Sequence, residues 1–324
     1  MAHLVENMAY VGQTPWHGLG NALAPRQSLD VWAKQAGMDW DILDTPVRFV
    51  TSKTNKQFGE ILSFDDNKVL YRSDTHAPLS VVSNRYQVVQ PREILEFYRD
   101  LTEVSGFELE TAGVLKGGKK FWALAKTGQD FALKGKDVTN GYILLATACD
   151  GTLATTAQFT SIRVVCNNTL AVALGDNRGC VKVPHNTKFD AQAVKQQLGI
   201  SVSGWDQFMY RMKTLAERKV STKEAENFFL RVFSEPSKST HKPVFAKTNE
   251  RAMAKALELF DGRGRGAEMV SAKGTAYGLL NAVTEFVDHE RRAHSADNRL
   301  DSAWFGAGAV IKQNALDLAY AMAA

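Results

Sequence analysis

Lysines and a tryptophan fall on alternate positions of one short run, Lys119 to Lys126, which follows Gly117-Gly118. A glycine pair between β-prone runs signals a hairpin turn. On the second strand of that hairpin Lys120, Trp122, Leu124 and Lys126 share a face. An indole held between ammonium groups is suited to stacking a base while the lysines hold phosphates. The same residue types fit a core tryptophan with lysines marking the strand ends, and the sequence leaves both readings open.

A second group is Arg163, Asn167 and Asn168. The spacing of Ile162, Val165, Cys166, Thr169, Leu170 and Ala173 predicts a short helix capped by Thr160 or Ser161. Free N–H groups at its start favour an anion such as phosphate. The plainer alternative is a solvated arginine, with asparagines that finish the helix end. Lys182, His185 and Lys188 lie in and just beyond the next short strand, Cys180 to Val183, and would extend a cationic surface. His185 has no companion at metal-ligand spacing, and His289 and His294, five apart, do not share a helical face. No metal site and no cofactor are expected. Walker, zinc-protease, nucleophile-elbow and kinase motifs are missing. No catalytic residue is assigned; an enzyme with a scattered site would draw on Cys166, His185, Asp150 or His17. The Gly262-Arg263-Gly264-Arg265-Gly266 loop has the composition to grip phosphate, yet it follows no strand and reads as a helix connection.

These residues need elements to place them. Tyr142 to Ala148, the turn at Asp150-Gly151 and Leu153 to Phe159 read as a hairpin feeding the predicted helix. Upstream, a helix capped by Ser28 and stopped by Gly37 precedes β-type runs at Trp40 to Val50, Phe58 to Phe64, Val69 to Arg72 and Leu79 to Val82. Pro91 opens a helix with Ile94, Leu95, Tyr98 and Leu101 on one face. From Asp190 the pattern is helical, through Trp205 to Arg218, Thr222 to Phe233, Asn249 to Phe260, Thr275 to Arg292 and Ala307 to Ala323. The reading is an α+β protein: antiparallel strands and hairpins packed with helices over residues 1–189, then a mostly helical region over 190–324 with a linker near 234–248.

At 324 residues and 44% hydrophobic content the chain can bury a sizeable core. Its longest apolar runs are too short to span a bilayer, and the first residues lack the blocks of a signal peptide, so a cytoplasmic location in a bacterial host is expected. Three cysteines without a C-x-x-C pair indicate neither a disulfide framework nor a zinc ribbon. The net charge of +4 is unevenly spread: Lys116 to Lys195 holds eleven Lys and Arg against five Asp and Glu, whereas the first hundred residues hold ten against twelve. Any polyanion footprint therefore belongs to the middle of the chain.

Thr14-Pro-Trp-His-Gly-Leu-Gly20, Arg85-Tyr-Gln-Val-Val-Gln-Pro91, Phe159-Thr-Ser-Ile-Arg-Val-Val-Cys-Asn-Asn-Thr-Leu170, Leu279 to His289 and Trp304 to Ala309 together resemble the phage/plasmid-like protein family of phages, prophages and conjugative plasmids. The likeness runs nearly end to end and names no reaction. The element order is also similar to the hairpin and helix core of Red-beta and Erf-type single-strand annealing proteins. That second resemblance implies rings or filaments, a basic groove for one strand, and no nucleotide or metal. The expected function is single-stranded DNA binding and annealing in recombination. Lys119, Lys120, Trp122, Lys126, Arg163, Asn167, Lys182, His185 and Lys188 would hold DNA, the C-terminal helices would mediate homo-oligomerisation, and host single-strand-binding protein is an expected partner. The alternatives are a counter-defence or host-takeover protein that binds a host protein through an exposed apolar patch, and an enzyme whose Arg163, Asn167 and His185 converge in one pocket.

Overall fold

The computed structural model describes residues 7–12, 20–51, 59–105, 107–165, 168–171, 180–202, 204–235 and 247–324. The elements are β1 (Asn7–Val11), β2 (Asn21–Leu23), α1 (Leu29–Gln35), β3 (Ile42–Val50), β4 (Ile61–Arg72), β5 (Pro78–Ser83), α2 (Pro91–Ser105), β6 (Glu108–Leu115) and β7 (Lys120–Leu133). They continue with β8 (Asp137–Ala148), β9 (Thr155–Arg163), β10 (Asn168–Ala171), β11 (Cys180–Val183), α3 (Ala191–Val202), α4 (Trp205–Glu217) and α5 (Thr222–Phe233). The last are α6 (Glu250–Glu258), α7 (Ala276–Glu285), α8 (Ala296–Phe305) and α9 (Ala307–Ala323). The protein is α+β, with antiparallel sheets in its N-terminal and central parts and a helical C-terminal region. It forms two compact units. One comprises Met1–Thr127, Ile143–Gln158 and Cys180–Leu198; the other comprises Gly128–Tyr142, Phe159–Gly179 and Gly199–Ala324. The units interleave along the chain.

In the first unit β6 lies between β1 and β7, with β1 antiparallel to β6 and parallel to β2. Gly117 and Gly118 make the β6–β7 turn at φ +68° and +94°. A Cβ on Gly118 would stand 3.0 Å from the Trp40 ring, so no side chain fits there without displacing the indole. The Trp40 ring packs on Phe121 at 5.4 Å, with the Arg72 guanidinium 4.1 Å above it. Helix α2 buries Ile94, Leu95, Phe97 and Tyr98, and the Tyr98 hydroxyl lies 2.8 Å from the Ala123 carbonyl and 3.0 Å from that of Ile143. A separate three-stranded sheet has the order β3-β4-β5.

In the second unit, Phe159 meets Trp205 edge-on at 5.6 Å, and α4 turns Phe208, Met212 and Leu215 inward at helical spacing. Helix α5 starts with a reciprocal capping box between Ser221 and Glu224. Helix α7 is apolar around nearly its whole circumference and is correspondingly buried. Ala315 and Ala319 let α9 pack closely. The central hairpin does not feed a helix. Residues 168–171 form a strand, β10, with Asn168 opposite Arg163 and Thr169 opposite Ile162. The apolar residues that mimic a helical period there include β-branched Ile162, Val165 and Thr169, which are equally at home on a pleated surface. The hairpin-then-helix order that supported the likeness to annealing proteins is thereby lost.

Candidate functional site

The strand that was to present an aromatic plate is covered on both faces. Lys120 to Ala125 are all buried, and Trp122 is 2% exposed. Strand β7 is central, between β6 and β8, so alternation along it selects between two interiors and not between core and solvent. Trp122 and Lys120 therefore present no surface to a base or phosphate. Lys119 and Lys126 are half-buried, Lys182 and Lys188 exposed. The His185 ring stacks on Tyr86 at 4.4 Å, with Nε2 2.9 Å from the Leu153 carbonyl and Nδ1 3.1 Å from that of Gln87. It belongs to the first unit and Arg163 to the second. Asn167 and Cys166 lie outside the described residues.

Arg163 ends a strand, not the start of a helix, and it is buried. Its Nε and Nη2 donate to the two Asp137 carboxylate oxygens, each at 2.7 Å, and Nη2 also donates to the Gly266 carbonyl at 3.1 Å. Ser271 Oγ donates to Asp137 Oδ2. The basic glycine loop thus turns its carbonyls, not its cations, toward the guanidinium. Gly266, at φ +71°, has no room for a Cβ, which would stand 2.7 Å from Val165 and 3.0 Å from Arg163 Nη2. Nearby, Glu285 accepts from the Arg265 N–H at 2.9 Å, and burial pushes its carboxyl above the usual range. A second buried pair joins Lys312 to Asp288 at 2.8 Å; Lys312 also donates to Thr169 Oγ1 at 2.8 Å, and Asp288 accepts from the Thr169 N–H at 2.7 Å. A bidentate Arg–Asp pair and a Lys–Asp pair, each within one unit, neutralise each other locally. They act as braces between strands and helices, not as charges available to a ligand.

Beside Arg163 lies a cavity of about 20 Å³, lined in part by Ser161, Asn168, Tyr277, Asn281 and Thr284. That is room for a water or two. Asn168 Nδ2 donates to the Asn281 carbonyl at 3.3 Å, while its buried Oδ1 has no hydrogen-bond partner among the described residues. Burial pushes the Tyr277 phenol up to about 12, so it stays a neutral hydrogen-bonding group. Among the described residues no cluster of three or more His, Cys, Asp or Glu is placed to hold a metal ion.

The feature that sequence reasoning missed is the exposed apolar surface of the β3–β4–β5 sheet. The register sets Leu43 beside Tyr71 and Thr45 beside Val69 and Val81; beyond the irregularity at Pro46/Val47, where β4 passes from Lys68 to Phe64, Val47 pairs with Phe64 and Phe49 with Leu62. Leu43 is 41% exposed, Phe49 46%, Leu62 43%, Phe64 48% and Val81 59%. Ile42, Leu70 and Val82 are buried, whereas Val50 and its partner Ile61 are each 68% exposed, and Asp65 and Asp66, in the irregularity of β4, are exposed as well. The free edge of β3 is blunted: the Gln90 side chain bonds both backbone groups of Ile42, at 2.8 and 3.1 Å, and Pro46 has no N–H. Together these side chains expose on the order of a few hundred Å² of apolar surface, the size of the largest patch on a typical monomer, which is often functional. The β-prone run Leu43 to Phe49 was the available signal, but it cannot say which side chains are left bare.

Among the described residues no helix is long and apolar enough to cross a membrane. A family model described as a domain of unknown function (DUF932) matches residues 78–304, more than half of the chain. No curated protein and no solved structure matches it.

Proposed function

The chain belongs to this DUF932 family, and from that premise we propose that it works by binding protein, as a phage- or plasmid-borne factor whose β3–β4–β5 sheet seats another protein surface. The exposed apolar side chains of this sheet, Phe49, Leu62, Phe64 and Val81 among them, carry this reading. Covering such side chains is favourable, and they suit a protein surface and not a phosphate backbone. Strands β3 and β4 precede the residues matched to the family, and β5 lies at their start.

The test is affinity capture from host lysate after nuclease treatment, comparing the wild-type chain with a Phe49→Asp, Phe64→Asp variant of unchanged thermal stability. The expected result is a stoichiometric protein, a further copy of the chain included, held by wild type and lost from the variant. Equal recovery by both, or none by wild type, removes the reading. A second reading, single-stranded DNA binding with annealing, is supported by the exposed Lys182 and Lys188 and the half-buried Lys119 and Lys126. It predicts salt-sensitive oligonucleotide binding that the Phe49 and Phe64 changes leave intact.

A further inference from the structure

We propose that the cavity beside Arg163 is a site for one ordered water molecule, which donates a hydrogen bond to Asn168 Oδ1 and so ties β10 to α7. The site lies within the second unit and is independent of the protein-binding reading. The orientation of the Asn168 amide decides what is needed there. Its Nδ2 faces the Asn281 carbonyl at 3.3 Å, and the reverse orientation would set two oxygens against each other. The atom left over is Oδ1, in a residue only 4% exposed, with no hydrogen-bond partner among the described residues. Leaving a buried acceptor unmatched is costly, so the occupant must bring an O–H or N–H.

The walls are committed elsewhere. Ser161 Oγ donates to the Leu170 carbonyl at 3.2 Å, Thr284 Oγ1 to that of Asn281 at 2.9 Å, and Asn281 Nδ2 to that of Tyr277 at 2.8 Å. With their protons spent on backbone, the two hydroxyl oxygens keep lone pairs and can only accept. A water has one O–H for Asn168 Oδ1 and a second for such a hydroxyl, and it can accept from the Arg163 guanidinium or the Tyr277 phenol in the same wall. Size points the same way: about 20 Å³ admits a water or two and no metabolite. An apolar cavity of this size stays dry, but hydroxyls, amides and a guanidinium line this one. An ammonium ion would stand beside the guanidinium, and an anion would face Oδ1. Asn168 opens the edge strand β10 opposite Arg163, and Asn281 lies in α7, so the water completes a polar bridge from the sheet edge to the buried helix.

The experiment is a crystal structure of the full chain at a resolution that shows ordered water, for wild type and Asn168→Leu in ammonium-free buffer, with water magnetic relaxation dispersion of both proteins in solution. The expected result is a water peak about 2.7–3.2 Å from Asn168 Oδ1 in wild type, missing from the variant, and one fewer long-lived water in the variant's dispersion. Should Asn168→Leu fail to fold, the wild-type density decides alone. A cavity without density, a peak beyond reach of Oδ1, a peak that refines as an ion, or Oδ1 bonded to a protein donor overturns the proposal. Equal numbers of long-lived waters in the two folded proteins overturn it as well.

Discussion

Replacing Asp137 by alanine removes the carboxylate that takes two hydrogen bonds from Arg163 and one from Ser271. The guanidinium is then left buried without its carboxylate, still near neutral acceptors that include the Gly266 carbonyl at 3.1 Å, that of Arg265 at 3.4 Å and Met269 Sδ at 3.5 Å. Breaking one side of such a pair costs about 3–5 kcal/mol because an uncompensated charge stays in a medium of low dielectric constant. A folded domain has about 5–15 kcal/mol in all, so the second unit should melt well before the first. Replacing both partners, Asp137→Leu with Arg163→Met, removes the charge along with its mate and should cost far less than the single change, as apolar replacements of buried pairs do. Differential scanning calorimetry of wild type, Asp137→Leu, Arg163→Met and the double closes the cycle, with the coupling read as the departure from additivity. If Asp137→Ala stays within about 1 kcal/mol of wild type, or the two singles sum to the double, the pair is no brace and the account of Arg163 given above is wrong.

Two further outcomes follow from titration and burial. Hydrogen bonding from Arg72, reinforced by its charge, holds the Asp74 carboxyl at about 2, below the ordinary 3.8. A carboxyl depressed on folding adds stability above its unfolded value and loses it as pH falls through the folded one, so this contribution should be complete above about pH 4 and gone near pH 2. The side chain is 39% exposed, which limits the effect to about 1 kcal/mol or less. Asp74→Asn should flatten acid denaturation by that amount, and an unchanged acid limb would contradict it. Burial pushes the Cys149 thiol up to about 12. Alkylation by iodoacetamide at pH 8 should therefore leave Cys149 unmodified until urea unfolds the first unit; rapid labelling of the native protein would show that the thiol is reachable.

Local chemistry was legible where one residue type has one use. Ser28 caps α1, Pro91 opens α2, and Gly117-Gly118 and Asp150-Gly151 turn the hairpins, because positive φ, a missing N–H and a side-chain acceptor act within a few residues. What failed depended on neighbours far along the chain. Arg163 looks solvated until Asp137 and the Gly266 carbonyl are brought beside it, and Trp122 looks half-exposed until β6 and β8 make its strand central. The β10 error has the same origin, since Ile162, Val165 and Thr169 satisfy two periods at once and strand pairing with β9 decides between them. The sheet β3–β4–β5 was readable as strands, yet its bare side chains are set by what fails to cover them, and no local signal reports that.

Trp122 separates the two readings of function most cleanly. Were its ring a platform for DNA, Trp122→Leu would cost about 1–3 kcal/mol of affinity, or roughly 5- to 150-fold, with little change in stability. Buried as it is, the same substitution should lower thermal stability and leave any oligonucleotide affinity of the folded fraction unchanged. Lys182→Ala with Lys188→Ala gives the converse pattern. Both side chains are exposed, so stability should hold, and if each contacts a phosphate the slope of log affinity against log salt should fall by about 0.7 per lysine. Fluorescence anisotropy with a labelled single strand at several salt concentrations reads both. A ten-fold loss of affinity in Trp122→Leu at unchanged melting temperature would place the indole on nucleic acid, and the packing of β7 described above would then be wrong for the binding-competent state.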